Sequence, residues 1–461
     1  QTKRVYPFRS AAHVLGYVGK VDSAEILAFE GTYNDQDFIG KTGLESTYEA
    51  HLKGEKGEDW LLYDVHNRVK GKYNSGEKDK LPTPGFNLIT SLDIELQNYG
   101  EALMRNKRGS VVAIEPSSGE ILAFISSPAY DPSMMVGGKR GDMFEKLKKD
   151  TLKPLFNRPV MAMYPPGSTF KTIMSLIGLE EESIKPKTKY KCNGLSKIPG
   201  IVTCHDHDKV KGIRDAIRFS CNNYYSFLMK DHFALEKFPK ASIAYENWYQ
   251  YVSSFGLGKK LTQEFPFETK GNLPKKSYYD KLYGKGRWKA PTIISLSVGQ
   301  GELLMTPIQI ANVFSVIANR GYYIKPHLVK WLELDNGTKK IEFDTVKIPI
   351  KEKHFQNVVL GLEDVVQKGT ARRSKIKGIA MCGKTGTAEN PHGEDHSVFA
   401  AFAPKDQPKI AIAVFVENSG FGSTWAAPIA SLMIEKYLNK SIEGKQRKYL
   451  EKTMLEGNLI E

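Results

Sequence analysis

The sequence predicts an α+β protein with more than one domain, in which a five-stranded antiparallel sheet is flanked by helices. Short apolar runs of strand length, some joined by tight turns, indicate the sheet. Longer runs with apolar residues three and four positions apart indicate the helices. A length of 461 residues leaves room for a second domain with its own core.

Residues 1–84 are predicted to form a separate N-terminal domain. This segment contains a helical stretch at 46–52 and a polar, glycine-containing stretch at 70–80 that is followed by two prolines. Such a stretch is typical of a linker or an exposed hairpin, so we place the boundary after residue 84. No catalytic motif is visible before that boundary, which predicts a structural role for this domain and leaves the chemistry to residues 85–461.

The sheet is expected to begin soon after this boundary. Residues 88–92 are predicted to be a strand, and Asp93 is predicted to start a helix through Leu103. The next strands, 109–114 and 121–125, are joined by the turn Pro116-Ser117-Ser118-Gly119. These strands are expected to share one sheet with the late apolar runs at 397–403 and 410–417.

Two further stretches of the chain are polar or charged. Residues 137–149 are basic and rich in glycine at their start, which predicts a flexible connection. The tail from residue 434 is predicted to be a charged helix that caps the surface.

The segment around Ser168 is the strongest candidate for a catalytic site. Pro165, Pro166 and Gly167 end any preceding element, so a helix is predicted to begin at Ser168 with an apolar face behind it. Lys171 lies one turn further on and therefore on the same side of the helix. A serine hydroxyl needs a base to become a nucleophile, and a buried lysine at a helix start can be neutral enough to act as that base.

Ser-x-x-Lys is a weak pattern by itself. It also occurs at Ser75–Lys78 and Ser374–Lys377, where the flanking residues are polar and provide no apolar helix to bury the lysine. The assignment of Ser168 and Lys171 therefore depends on further motifs.

Two further motifs follow Ser168 along the chain. Ser220-Cys221-Asn222 comes after a helical-looking segment at 213–219 and adds a second hydroxyl and an amide. Lys384-Thr385-Gly386-Thr387 reads as a strand that turns into a hairpin with 398–403. Between them, the turn Gly299–Glu302 precedes an apolar helix at 308–318 and forms either one wall of a cleft or a simple helix-entry loop.

The net charge of +14 arises from scattered lysines rather than from a nucleic-acid-binding motif. A basic surface fits an anionic membrane or an anionic wall polymer equally well. The chain contains no apolar run of membrane-spanning length and starts at Gln1, so we expect a trimmed ectodomain.

The cysteines leave three alternatives open. Cys192 and Cys204, with His205 and His207, could hold a tetrahedral zinc ion, the two cysteines could form a disulfide beside surface histidines, or they could remain free thiols. Cys221 and Cys382 are interpreted as small packing residues.

Ser-x-x-Lys, Ser-x-Asn and Lys-Thr-Gly-Thr in this order are the signature of the penicillin-binding and serine β-lactamase superfamily. Nearly the whole chain resembles a class B penicillin-binding protein, and the double proline before Gly167 and the run after Ser220 resemble its elongation-type members. The resemblance implies a penicillin-binding-protein transpeptidase fold with an N-terminal pedestal or dimerisation-type domain. The arginine- and glycine-containing motif that usually follows the membrane anchor in this class is missing from the sequence, along with the anchor.

The resemblance also implies a role for each motif residue in acyl transfer at D-Ala-D-Ala. Ser168 would attack the substrate carbonyl, Lys171 would take its proton, and Ser220 would pass a proton to the leaving group. Asn222 would hydrogen-bond the peptide, Lys384 would attract the substrate carboxylate, and Thr385 and Thr387 would bind it beside Gly386. No cofactor and no metal are expected in this chemistry.

The resemblance implies stem peptides and β-lactam antibiotics as ligands, and a SEDS-family glycosyltransferase as partner. It places the catalytic domain outside the cytoplasmic membrane, held by an anchor that precedes Gln1, and it implies no nucleic acid. The alternatives are a D,D-carboxypeptidase, a serine β-lactamase and a non-enzymatic β-lactam sensor. A β-lactamase needs a deacylating base, and no Glu-x-x-Leu-Asn loop is seen between the second and the third motif.

Overall fold

The computed structural model of the chain describes residues 4–29, 32–192, 204–205, 207–334 and 337–460. Its strands are β1 Val18–Lys20, β2 Phe38–Gly40, β3 Leu61–Tyr63, β4 Val69–Lys72, β5 Asn87–Thr90, β6 Gly109–Ile114, β7 Ile121–Ser127, β8 Tyr322–Ile324, β9 Val329–Leu334, β10 Gly337–Lys340, β11 Thr345–Lys347, β12 Cys382–Ala388, β13 His396–Ala403 and β14 Ile410–Val416. Its helices are α1 Ala12–Leu15, α2 Ser23–Ala28, α3 Gly43–Thr47, α4 Glu49–Leu52, α5 Ile94–Met104, α6 Arg140–Lys149, α7 Arg158–Met161, α8 Lys171–Glu180, α9 Ile213–Phe219, α10 Asn222–Phe233, α11 Ala241–Ser254, α12 Lys276–Tyr283, α13 Pro307–Ala318, α14 Glu352–Lys368, α15 Ala426–Asn439 and α16 Lys445–Glu456. Short 3₁₀ helices cover Tyr73–Gly76, Pro132–Met135, Gly167–Phe170, Ala290–Val298 and Arg372–Ser374.

The central sheet has five strands in the order β12-β13-β14-β6-β7, and every neighbouring pair is antiparallel. The predicted fold class is therefore confirmed, but one strand was assigned wrongly. The predicted strand at 88–92 corresponds to β5, which pairs with β9 in a separate sheet, and the fifth place is taken by β12. The sequence shows that a strand exists, but its partner is decided by contacts far along the chain.

Helices cover both faces of this sheet. Every residue of β6, β7 and β14 is buried, which requires cover on the two sides to which their side chains alternate. Helix α13, which is buried along its whole length, packs on β6, β13 and β14. Helices α15 and α5 pack on each other and on the sheet, so strands and helices form one hydrophobic core.

Helix α5 starts where the sequence predicts. The Asp93 carboxylate accepts a hydrogen bond from the Leu96 N–H at 2.9 Å, which satisfies one of the free donors of the first turn. The helix continues to Met104, and its buried side includes Leu96 and Leu103.

The chain divides into two compact units. The first comprises Gln1–His13, Leu92–Leu328 and Phe343–Glu461, and the second comprises Val14–Ser91 and Val329–Glu342. The predicted boundary after residue 84 falls inside the second unit. That unit includes β9 and β10 because β5 pairs with β9, at a separation of more than 200 residues that local sequence patterns do not reveal.

Several local predictions need correction. The predicted helix at 46–52 is broken at Tyr48 between α3 and α4. The stretch at 137–149, predicted to be flexible, contains α6, whose three lysines near its C-terminus complement the helix dipole. The C-terminal region holds two helices, of which α15 is largely buried and α16 carries the charged residues. Among the described residues, no helix combines the length and the apolar character that crossing a bilayer requires.

Candidate active site

Ser168 lies in a 3₁₀ turn, Gly167–Phe170, that leads directly into α8. The regular α-helix therefore begins at Lys171, three residues later than predicted. Residues 171–179 are all buried, so α8 is fixed in the core, whereas Ser168 is only half-buried at its N-terminal end. This arrangement holds the Ser168 hydroxyl at the end of a helix that is fixed in the core.

Gly167 places the serine turn against β12. Its φ of +54° belongs to the left-handed region, and a Cβ atom there would lie 2.6 Å from the Thr387 carbonyl oxygen. The Gly167 N–H donates to the Gly299 carbonyl at 2.9 Å, and Gln300 Nε2 donates to the Thr387 carbonyl at 3.1 Å. The Gly299–Glu302 turn thus contacts both the serine turn and β12. Of its two predicted roles, this placement favours the wall of a cleft over a simple helix-entry loop.

Lys171 is fully buried beside the second motif. Its Nζ donates to the Ser220 carbonyl at 2.7 Å, to Ser220 Oγ at 3.1 Å and to Asn222 Oδ1 at 2.5 Å. Burial lowers the pKa of Lys171 to about 8, because a charged amine is poorly solvated in the core. Near physiological pH the neutral amine is therefore a minor form, but it is far more populated than at the usual pKa of lysine.

The Ser168 hydroxyl makes no hydrogen bond to any described residue, so its contact with Lys171 is not formed in this structure. Catalytic hydrogen bonds are often loose before substrate binds. The two residues share one turn, in which the Lys171 N–H donates to the Ser168 carbonyl.

Ser220 lies between two amines. Lys384 Nζ donates to Ser220 Oγ at 2.9 Å, so this hydroxyl is within hydrogen-bond distance of both Lys171 and Lys384. Ser220 ends α9 in the left-handed conformation, with a φ of 56°, which turns its side chain and its carbonyl towards the amines. Burial and the neighbouring Lys171 lower the pKa of Lys384 well below its usual value.

The third motif occupies β12, at one edge of the sheet. The hydroxyls of Thr385 and Thr370 are 2.7 Å apart, and Thr387 is half-buried near the serine turn. A Cβ atom on Gly386 would lie 3.2 Å from the Pro166 carbonyl oxygen. Gly386 therefore lets the segment that carries Ser168 approach β12 closely. The sequence did not predict this contact.

Glu417 is the centre of a cluster of charged side chains close to the segment that carries Ser168. The sequence did not predict this cluster. Glu417, just after β14, accepts hydrogen bonds from Arg158 Nε at 2.9 Å and from the Tyr164 hydroxyl at 2.7 Å, and it also pairs with Arg108. Tyr164 stacks on Phe415 and begins the segment that carries Ser168. Burial opposes ionisation of Glu417, but the two arginines and Tyr164 outweigh it, so its pKa is lowered.

Replacing Glu417 with glutamine should destabilise the protein and slow acylation of Ser168. Arg158 is 3% exposed and would lose its buried counter-charge, which typically costs about 3 kcal/mol. Because the folded-state pKa is lowered, the stabilisation by Glu417 is present above about pH 4.5 and lost as the pH falls through that lowered value. Denaturant titration and the rate of penicillin labelling would measure both effects. Glu389→Gln, at an exposed position after β12, is the control, and equal stability of the two variants would contradict this role.

Three cysteines and one histidine form a compact cluster next to Ser220. The donor atoms of Cys192, Cys204, His207 and Cys221 all lie within 4.8 Å of one another, and the four cysteines of the chain are free. His207 Nε2 lies 3.5 Å from Cys192 Sγ and 3.4 Å from Cys204 Sγ. The described residues thus contain no Cys192–Cys204 disulfide, and Cys221 takes the place that the zinc alternative gave to His205.

The chemistry of these donors fits a structural zinc ion, for which three thiolates and one imidazole are a common set. His207 Nδ1 is 2.7 Å from the Asp208 carbonyl, which orients Nε2 towards the sulfurs. Because Cys221 stands between Ser220 and Asn222, an ion held there would fix the position of the second motif. The short spacing between Cys204 and Cys221 was a signal in the sequence for a fourth ligand. Because Cys221 lies within the motif Ser220-Cys221-Asn222, it was interpreted as a packing residue instead.

Purified protein is expected to contain about one zinc ion per chain, as a four-ligand structural site requires. Elemental analysis before and after chelation would measure it, and Cys204→Ser should lower the zinc content. Cys382→Ser is the matched control, since Cys382 is buried in β12 outside this cluster. Metal-free protein with full stability would contradict the assignment.

The sequence matches two protein families. The match to the penicillin binding protein transpeptidase domain covers residues 109–435, and the match to the penicillin-binding protein dimerisation domain covers residues 1–90. Peptidoglycan D,D-transpeptidase MrdA of Acinetobacter baumannii is 31% identical over 470 residues, which cover 95% of this chain and 66% of that protein. The chain thus spans slightly less than two thirds of that relative.

Solved structures give the same result. Pseudomonas aeruginosa PBP2, crystallised in complex with WCK 5153, is 30% identical with a TM-score of 0.77, and the match covers 95% of this chain and 91% of that chain. A second similar chain comes from a structure of a peptidoglycan synthase complex that concerns the structural coordination of polymerization and crosslinking. That chain is 29% identical to this one with a TM-score of 0.80, and the match covers 96% of this chain and 77% of that chain. The fold and both domains are therefore shared with these proteins.

Proposed function

Because the chain belongs to the penicillin-binding protein transpeptidase family, we propose that it is an elongation-type peptidoglycan D,D-transpeptidase with Ser168 as its nucleophile. One observation carries the proposal. The fully buried Lys171, one turn from Ser168, shares the Ser220 hydroxyl with Lys384, so the three motifs meet at one hydroxyl.

Acylation begins when neutral Lys171 accepts the Ser168 proton. Ser168 Oγ attacks the carbonyl carbon of the penultimate D-alanine and forms a tetrahedral oxyanion. The backbone N–H groups of Ser168 and Thr387 would stabilise this oxyanion, and one such donor is typically worth about 3 kcal/mol. When the peptide C–N bond breaks, the terminal D-alanine leaves as an amine that receives a proton through Ser220, with Lys171 as its source.

Substrate recognition belongs to β12 and Asn222. Lys384 and the hydroxyls of Thr385 and Thr387 would hold the terminal carboxylate, whose charge favours the protonated form of Lys384. As an edge strand, β12 can receive the peptide as an added strand, with Asn222 bonding its amide. In the second half-reaction, an amine of a neighbouring stem peptide attacks the acyl carbon, the ester bond to Ser168 breaks, and the crosslink forms.

Product analysis with a D-Ala-D-Ala-terminated pentapeptide substrate tests this proposal. A crosslinked product that requires an amine acceptor supports a transpeptidase. Hydrolysis that ignores the acceptor would identify a D,D-carboxypeptidase, and rapid turnover of penicillin a β-lactamase. Acylation by penicillin without any reaction of the peptide would identify a sensor.

The proposed function also implies a location for the catalytic domain and a partner protein. We propose that the catalytic domain works outside the cytoplasmic membrane, where the wall polymer lies, and the membrane tether stays a prediction. A SEDS-family glycosyltransferase is the proposed partner, supported by the similarity to a chain from a peptidoglycan synthase complex. Co-purification of the two proteins from membranes would test this pairing.

A further inference from the structure

A basic cavity lies outside the active site, where the segment after α14 meets α16. Its volume is about 630 Å³, a size that accommodates a ligand of several sugar or amino-acid units. Arg372, Arg373, Lys375 and Lys377 line one side, and Arg447 and Tyr449 of α16 line the other. Ser374 and Lys377 belong to one of the additional Ser-x-x-Lys matches, so this stretch has no role in the chemistry proposed above.

Most of the positive charges around this cavity have no acidic partner among the described residues. In the part of the chain that the structure describes, Arg372, Arg373, Lys375 and Lys377 are exposed and form no ion pair. Arg447 does pair with Glu435 at 2.6 Å, but its Nη2 is buried without a hydrogen-bond partner among the described residues. Like charges around a concave surface repel one another and concentrate a positive potential there, which an anion would relieve.

One residue of the cavity lining, Arg372, lies near the proposed substrate carboxylate site. Thr370 bonds Thr385 through their hydroxyls at 2.7 Å, and Arg372 follows only two residues later. Two Cα–Cα steps span at most about 7 Å. The basic stretch is anchored to the hydrophobic core, because the side chain of Ile376, between Lys375 and Lys377, is 1% exposed.

We propose that this cavity binds the carboxylate-bearing stem peptides of the peptidoglycan strand that is being crosslinked. The inference rests on the proposed function, since the ligand is a further part of the same polymer. Stem peptides repeat along a glycan strand, so one peptide in the active site brings others near. Arginine guanidinium groups bind carboxylates in a bidentate manner, and the 74% exposed ring of Tyr449 offers an apolar face to sugar or peptide.

The test measures binding of uncrosslinked glycan strands that carry pentapeptides, by calorimetry, to protein whose Ser168 has first been acylated with penicillin. Acylation blocks the active site, and its confirmation by intact mass checks the proposed function separately. If acylation fails, Ser168→Ala serves instead, so that the two ideas can fail independently. The triple variant Arg373→Gln, Lys375→Gln, Lys377→Gln should bind about tenfold more weakly, as the loss of three exposed charge contacts implies.

The matched control is Lys146→Gln, Lys148→Gln, Lys149→Gln on α6, which removes the same charge from exposed positions outside the cavity and should leave binding unchanged. Removing the stem peptides with an amidase should weaken the binding of the strands to the wild-type protein. These stripped strands should bind the wild type as weakly as intact strands bind the triple variant of the cavity. Equal binding of intact and stripped strands, or equal binding by the two triple variants, would overturn the proposal. Cavity-dependent binding of inorganic pyrophosphate without binding of intact strands would overturn it as well.

Discussion

Replacing Ser168 with alanine is expected to abolish covalent labelling by penicillin and all crosslinking. In the proposed mechanism the Ser168 hydroxyl forms the acyl bond, and the second hydroxyl of the site, on Ser220, is buried between the two lysines. Loss of a catalytic serine in other acyl-transfer enzymes lowers the rate on the order of 10⁶-fold. Intact-mass measurement after incubation with penicillin reads the adduct directly. The substitution should leave the fold intact, because the hydroxyl makes no hydrogen bond to a described residue.

The chain supplies a matched control for this experiment. Ser75 stands in another Ser-x-x-Lys match but is exposed in the second unit, so Ser75→Ala should label like wild type. A penicilloyl adduct that persisted in Ser168→Ala, or that mapped to another side chain, would refute the assignment of the nucleophile.

Replacing Lys171 with glutamine is expected to slow acylation by a factor on the order of 10³. General-base catalysis typically contributes 10²- to 10⁴-fold, and glutamine cannot accept the proton. Lys107→Gln is the control, because Lys107 is equally buried, donates to the Met454 and Gly457 carbonyls, and also has a pKa lowered to about 8 by burial. Both variants remove one buried amine, but only the change at Lys171 should affect labelling.

The pH dependence of the wild-type enzyme is expected to follow the ionisation of Lys171. The active form of Lys171 is the neutral amine, so acylation should be slow at pH 6, rise through about pH 8 and level off above that pH. Because Lys171 and Lys384 lie at one hydroxyl, the midpoint belongs to the pair rather than to one residue. Stopped-flow labelling at several pH values measures this profile. A rate that falls as the pH rises would show that the protonated amine is the active form.

The sequence by itself determined which motifs this protein carries. Ser168 with Lys171, Ser220 with Asn222, and Lys384 with Thr385 are each close along the chain, so their local pattern was visible without a structure. The strands of the central sheet and the start of α5 at Asp93 were equally local, because they follow from apolar runs and from a helix cap.

Tertiary structure decided which of these local parts meet. It placed β12 rather than β5 in the central sheet, brought Cys221 to His207, and joined Glu417 to Arg158 across 259 residues. Strand partners, metal ligands and buried ion pairs are selected by contacts between distant segments, and a single sequence encodes no distance between them. The motif residues of the proposed site could therefore be read from the chain, whereas the residues that hold them in place were found only in the fold.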